Sequence, residues 1–154
     1  MRSNVNESTI EQLLEEARRD GIKKLVVGAV IVKDGQCLLL EREPADFMGG
    51  LVELPSGTVD PEEDLLEALA REVREETSLV IDSVQKYLGS FDYTSGSGKK
   101  TRQFNFLVET LSGVVIVNPK EHVSYRFIAP SDEVMAALNI SDETKKVLKV
   151  VEGK

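Results

Sequence analysis

Histidine, cysteine and tryptophan are almost missing from this chain of 154 residues, which holds one His, one Cys and no Trp. A lone histidine, His122, excludes a multi-histidine metal cage and an H-E-x-x-H zinc helix, leaving at most one imidazole for proton transfer. It is read as a structural or solvated residue. The lone cysteine, Cys37, excludes an internal disulfide, and its setting in Gln36-Cys-Leu-Leu-Leu40 reads as a buried small hydrophobe. A reducing, cytoplasmic setting is expected. Positive charge is scarce too, with 19 Lys and Arg against 27 Asp and Glu and a net charge of -8. No broad basic surface is available to release counterions, so neither a nucleic-acid polymer nor an anionic membrane is the expected partner. An anionic small molecule stays open if a metal neutralises it locally. Long apolar runs are absent: the longest, Leu25 to Val32, is too short to cross a bilayer, and the polar N-terminus lacks the apolar core of a secretion signal. Gly98-Lys99 fails the G-x4-G-K phosphate-cradle pattern because Tyr93 stands where the first glycine belongs. Lys99 and Lys100 read as a solvated loop tip.

What is present suffices for one domain, with 41% hydrophobic residues distributed in alternating and helical patterns. Ser8-Thr-Ile-Glu11 reads as a capping box, followed by Ile10, Leu13, Leu14 and Ala17 at helical spacing up to Gly21. Residues 1–23 are thus an N-terminal helical segment, whose apolar stripe either covers the domain or pairs with another subunit in a homodimer. The main domain, 24–154, opens with a buried strand over 24–32, an Asp34-Gly35 hairpin turn and a returning strand from Gln36 to Arg42. A loop from Glu43 to Gly50 and a short strand over 51–55 follow. Further strands are expected over 80–91, 102–109 and 114–117, with a last one beginning in Glu121-His-Val-Ser-Tyr-Arg-Phe127. Helices over 131–138 and 141–151, each opened by a serine N-cap, close the chain. Strands before and after a long central helix, with helices at both ends, fit an α/β fold with a mixed sheet covered by helices.

That central helix lies in the stretch from Gly57 to Leu79. A helix advances about 100° per residue, so Glu72, Glu75 and Glu76 project from one face within about one turn. Leu66, Leu69, Ala70, Val73 and Thr77 form a second, apolar stripe beside them. One stripe can dock on a core while the acids look into a cleft. Crowded carboxylates repel, and a divalent cation relieves them efficiently; all-oxygen ligands suit Mg²⁺ or Mn²⁺ better than Zn²⁺. Arg71, next to Glu72, is placed to hold that carboxylate by a charge-assisted hydrogen bond.

The stretch resembles the Nudix box, G-x5-E-x7-R-E-U-x-E-E-x-G-U with U aliphatic. Gly57, Glu63, Arg71, Glu72, Val73, Glu75, Glu76 and Leu79 fall on its fixed positions, and Ser78 stands where the family has Gly. A left-handed cap is implied at Ser78, where a side chain costs about 1 kcal/mol. Two flanking segments strengthen the resemblance: Leu38-Leu-Leu-Glu-Arg42 is similar to L-L-x-x-R, and the run from Glu121 to Phe127 is similar to E-H-x-E-x-x-W. The resemblance implies an α/β/α sandwich and metal-dependent hydrolysis of a nucleoside diphosphate linked to another moiety, by attack of water on phosphorus. It implies Gly57, Glu72, Glu75 and Glu76 as metal ligands, Glu72 or Glu121 as general base, and Arg71 and Glu63 as the groups that orient them. Arg42 and Glu53 are candidate substrate-binding residues. Mg²⁺, with Mn²⁺ as substitute, is the implied cofactor, and a small nucleotide the implied partner. A nucleotide-sugar such as ADP-ribose and a nucleoside triphosphate stay equally open: Glu53-Leu-Pro-Ser-Gly57 is similar to the E-L-P-A-G of ADP-sugar hydrolases, but the proline expected beyond the box is absent. The rival reading is a catalytically idle domain on the same scaffold that senses a nucleotide or metabolite.

Overall fold

The computed structural model describes residues 1–43 and 50–152. Most of the loop expected from Glu43 to Gly50 lies outside them. The chain runs β1 (Arg2–Ser3), α1 (Glu7–Arg19), β2 (Lys24–Lys33), β3 (Gln36–Arg42), β4 (Val52–Glu53) and β5 (Ser56–Thr58). It continues through α2 (Leu65–Thr77), β6 (Ile81–Thr94), β7 (Lys100–Thr110), β8 (His122–Ile128), α3 (Asp132–Ala136) and α4 (Asp142–Glu152).

The sheet follows the order β1-β6-β7-β2-β3-β4, with β5 also paired to β2 and β8 to β3. It is mixed: β2 runs parallel to β7 and antiparallel to β3 and β5. The hairpin forms where Asp34-Gly35 invites it, with φ of 52° and 76° at the two central residues. Those left-handed angles match the right-handed twist of the flanking strands.

Side-chain alternation along β2 and β3 decides which helices cover which face. Val27, Ala29, Ile31, Leu38 and Leu40 pack with Leu65, Ala68, Leu69 and Val73 of α2, and with Ala17 and the partly buried Ile10, Leu13 and Leu14 of α1. Val30, Cys37 and Leu39 point the other way, into a second cluster with Met135 of α3 and Val147 and Leu148 of α4. The result is the expected α/β/α sandwich. Cys37 is fully buried, and burial pushes its thiol pKa up to about 11, in keeping with a hydrophobe and not a nucleophile.

Two local expectations are corrected. The cap of α1 is Asn6, not Ser8: the Asn6 carboxamide accepts the Thr9 N–H at 2.9 Å and the Ser8 hydroxyl at 2.9 Å. An asparagine two residues earlier starts the helix sooner and satisfies an orphan donor of its first turn. Residues 114–117 form no strand. Val114 and Ile116 are exposed, Val115 and Val117 touch the core, and the segment is tied to the end of α2 by Ile116 N–H donating to the Thr77 carbonyl at 2.9 Å. Its alternation is that of a strap with one covered side, which period alone cannot distinguish from a paired strand.

Candidate active site

Gly57 on β5 sets the first constraint. A Cβ there would fall on the Glu72 carboxyl group, so only glycine lets that side chain lie against the strand. Glu72 is 9% exposed; burial raises its pKa, Arg71 opposes the rise, and the charges of Glu75 and Glu121 add to it.

Arg71 ties the loop before α2 to the helix. Its Nε and one terminal nitrogen donate to the two Glu63 oxygens at 2.8 and 2.9 Å, and that terminal nitrogen also reaches the Thr58 carbonyl at 2.9 Å. The other terminal nitrogen donates to Glu72 at 2.8 Å and to Glu75 at 3.2 Å. Glu63 also accepts the Asp60 N–H at 2.9 Å, and its pKa falls to about 2, through the Arg71 hydrogen bonds first and this backbone bond second. A planar fork fits this geometry; a lysine does not.

Glu76, 4% exposed, faces the other side of the site. There Asn118 builds a turn, accepting the Lys120 N–H on its side chain and the Glu121 and His122 N–H groups on its carbonyl at 3.1 and 2.9 Å. The turn delivers Glu121 and His122 to Glu76, and ligand atoms of the three residues lie within 4.8 Å of one another. Glu121 has its pKa raised to about 7, by the hydrogen bond it shares with Glu76, then by burial and the Glu76 charge.

His122 is neither solvated nor remote. It is 4% exposed, with Nε2 at 2.8 Å from Glu53 Oε2 and Nδ1 at 3.2 Å from Glu76 Oε2. Burial pushes its pKa down, but the two carboxylates outweigh burial and raise it to about 9. Arg42 Nε meets the same Glu53 oxygen at 2.9 Å, because the bulge between Glu41 and Arg42 sets Arg42 opposite His122 in the β3–β8 pairing. Thus Arg42 and Glu53 belong to one chain of contacts that ends on Glu76. The signal for His122 was its place beside Glu121, in a chain with no other histidine.

The structure therefore gathers Glu63, Glu72 and Glu75 around the Arg71 guanidinium, with Gly57 against Glu72, and Glu53 and Glu76 around the His122 imidazole, with Arg42 on Glu53 and Glu121 on Glu76. The donor set suits a hard divalent cation. Oxygen predominates, and Glu76 Oε2 and His122 Nδ1 are buried without a hydrogen bond of good geometry. A separate cavity of about 460 Å³, bounded by Ile31, Leu79, Leu111, Tyr125 and Phe127, includes none of these acids.

The family model described as the NUDIX domain matches residues 22–150. The chain belongs to the NUDIX family. A 65-residue stretch is 40% identical to the CTP pyrophosphohydrolase of Escherichia coli, covering 42% of this chain and 47% of that enzyme. The chain therefore matches about half the length of that relative. Among solved structures, the E. coli ORF135 protein aligns with a TM-score of 0.72 and 26% identity, over 88% of this chain and 92% of that one. The MutT NUDIX hydrolase of Burkholderia pseudomallei aligns with a TM-score of 0.71 and 27% identity, over 83% and 97% of the two chains. Both likenesses cover more than four fifths of this chain, well beyond the motif.

Proposed function

We propose that this NUDIX protein hydrolyses a nucleoside triphosphate to the monophosphate and pyrophosphate, with Mg²⁺ or Mn²⁺ as cofactor and a cytosine nucleotide as the first substrate to test. The observation that carries the reading is that a distant turn brings Glu121 and His122 to Glu76 of the acidic helix face, ligand atoms of the three lying within 4.8 Å of one another, while the charges of Glu75 and Glu121 also act on Glu72. Homology to a CTP pyrophosphohydrolase favours a triphosphate over a nucleotide-sugar.

Glu72, Glu75 and Glu76, with the Gly57 carbonyl, would hold the metal, and Glu121 would complete the set or take a proton from water. Bound divalent cations would neutralise the pyrophosphate oxygens and lower the pKa of the attacking water. The protein's own part is geometric. Arg71 and Glu63 hold Glu72 against Gly57, while His122 holds Glu76 toward Glu121 and keeps Glu53 in line with Arg42. A raised pKa suits Glu121 to proton transfer near neutral pH, since general bases work best close to the operating pH. Its rival for that role is Glu72, half-neutralised by Arg71. Arg42 can exchange Glu53 for a substrate phosphate.

With one buried thiol, an acidic surface and no helix among the described residues long and apolar enough to cross a membrane, we place the protein in the cytoplasm. Its partner there is a small nucleotide, not a nucleic-acid polymer. α1 packs its partly buried apolar stripe against the domain, and the reading puts any homodimer on another surface.

The test is turnover of a nucleotide panel with Mg²⁺ in ¹⁸O-labelled water, read by mass spectrometry. The reading expects monophosphate and pyrophosphate from a triphosphate, one of them carrying a single ¹⁸O, and loss of turnover with chelator. Tight nucleotide binding with no product from any member, in either metal, would instead mark an idle sensor domain.

A further inference from the structure

Four adjacent strands carry small or amide side chains at one level of the sheet. In register, Gly89 of β6 pairs with Asn105 of β7, Asn105 with Gly28 of β2, and Gly28 with Ser56 of β5. Three inter-strand spacings make this row roughly 14 Å long, and it ends one residue before Gly57. Such a row, with no branched apolar side chain, is unusual in a sheet otherwise filled with Val, Leu and Phe.

The space above Gly28 is taken by two carboxamides. A Cβ at Gly28 would meet Gln103 Nε2 at 2.5 Å and Asn105 Oδ1 at 2.6 Å, so glycine is what admits them. Their orientation is fixed. Asn105 Nδ2 donates to the Gly89 carbonyl at 3.1 Å, which turns Oδ1 toward Gln103, and Gln103 Nε2 donates to it at 2.8 Å. Asn105 is fully buried and saturated, whereas Gln103 is 7% exposed and keeps its Oε1 and one amide hydrogen without a hydrogen-bond partner among the described residues. A glutamine is normally free to flip its amide; here the order of donor and acceptor is locked by its neighbour.

Beside this amide lies an aromatic ledge. Phe91 is the cross-strand partner of Gln103, and its ring centroid is 6.1 Å from that of Tyr93, which is 41% exposed. Tyr93 also feels the charge of Glu53, the residue that anchors Arg42 and His122. A flat face next to a fixed donor–acceptor pair, at the border of an acidic site, has the properties that recognise a heteroaromatic ring.

We propose that Gln103, held by Asn105 over Gly28, is the base-discriminating residue of this protein, its amide N–H donating to the ring N3 of a cytosine-type base and its Oε1 accepting from the exocyclic N4 amine. The inference rests on the nucleotide reading above and adds the base. Cytosine offers an exocyclic donor beside a ring acceptor, and uracil offers the reverse order. With the base held in one orientation by its sugar and phosphates, an amide that can turn serves either base, but one whose order is locked favours the first and rejects the second. Rejection follows because the wrong base leaves both sets of polar groups unpaired.

The native chain, ¹⁵N-labelled and free of metal, is titrated with CMP, UMP and ribose 5-phosphate while the Gln103 side-chain amide resonances are followed. They are expected to shift with CMP and stay still with UMP and ribose 5-phosphate at equal concentration. In turnover, Gln103→Leu is expected to lower the CTP-to-UTP ratio of kcat/KM by about tenfold or more, the discrimination typical of one bidentate base contact. Equal shifts with CMP and UMP, no shift with either, or an unchanged ratio in a folded Gln103→Leu protein would overturn the assignment. Should Gln103→Leu not fold, the titration of the native chain decides. Absence of hydrolysis with all nucleotides, alongside a CMP-specific shift, would sink the hydrolase reading and leave the base site standing.

Discussion

His122 Nδ1 and Glu76 Oε2 stand 3.2 Å apart with each residue 4% exposed, joining the first residue of β8 to the acidic face of α2. Through its other nitrogen, at 2.8 Å from Glu53, the same ring reaches β4. One imidazole thus sets the spacing of three elements that meet nowhere else in sequence.

The first prediction concerns pH. The folded pKa of His122, about 9, lies above the ordinary value of 6.5. The folded state therefore holds the proton more tightly, and the stability this adds is complete below about pH 6.5 and lost as pH rises through 9. In chelator-treated protein, the difference in melting temperature between wild type and His122→Gln should be largest at pH 6 and shrink toward pH 9.5. A difference that does not vary with pH would mean the ring is neutral throughout.

Arg71→Lys should be far from conservative. Lysine keeps the charge but cannot hold Glu63 with two bonds while reaching Glu72, Glu75 and the Thr58 carbonyl. Turnover should fall by about ten- to a hundredfold, the range for misplacing a positioned group, with a circular dichroism spectrum like wild type. Wild-type kcat in this variant would show that charge alone suffices.

Gly57→Ala places a methyl group where the Glu72 carboxyl lies. Glu72 must move, and we expect at least about a hundredfold loss of turnover, as when one group stabilising the transition state is removed. Steady-state kinetics on a variant of unchanged melting temperature checks this, and activity within threefold of wild type would contradict the constraint.

Ser78 adopts φ 66° as the C-terminal cap of α2, the conformation that favours glycine. Its hydroxyl also donates to the Ile116 carbonyl at 3.2 Å, holding the strap to the helix end. Ser78→Gly relieves about 1 kcal/mol of backbone cost and loses an exposed hydrogen bond worth about 0.5–1.5 kcal/mol. Because the lost bond is exposed, its worth lies at the low end of that range, so the melting temperature should rise by less than about 2 °C while amide exchange at Ile116 quickens. A clear drop in melting temperature would make the strap contact the larger of the two effects.

Much of this was legible because it is local. Asp34-Gly35 specifies its hairpin through backbone angles, and the spacing of Glu72, Glu75 and Glu76 places them on one face whatever the rest of the chain does. The unbroken apolar run Cys37-Leu-Leu-Leu40 fits a strand covered on both faces, and each face of it packs into its own cluster. The failures share another cause. Residues 114–117 are an unbroken β-branched run that reads as a strand, but they are held as a strap on the end of α2 instead. His122 looked idle because its partners, Glu53 and Glu76, are 69 and 46 positions away and meet it only after β3, β4 and β8 have paired. The locked amides of Gln103 and Asn105 were hidden for the same reason, since register with Gly28 and Gly89 is a property of the assembled sheet.

The account stands or falls on whether the α2 acids hold a divalent cation. Mn²⁺ binding to wild type, Glu75→Gln and Glu76→Gln, followed by electron paramagnetic resonance and paired with turnover in Mg²⁺, measures this directly. Wild type should bind Mn²⁺ and turn over nucleotide. Each variant should bind Mn²⁺ at least about tenfold more weakly and lose about a hundredfold in kcat with its melting temperature retained. Mn²⁺ affinity and turnover equal to wild type in both variants would contradict the assignment of these carboxylates.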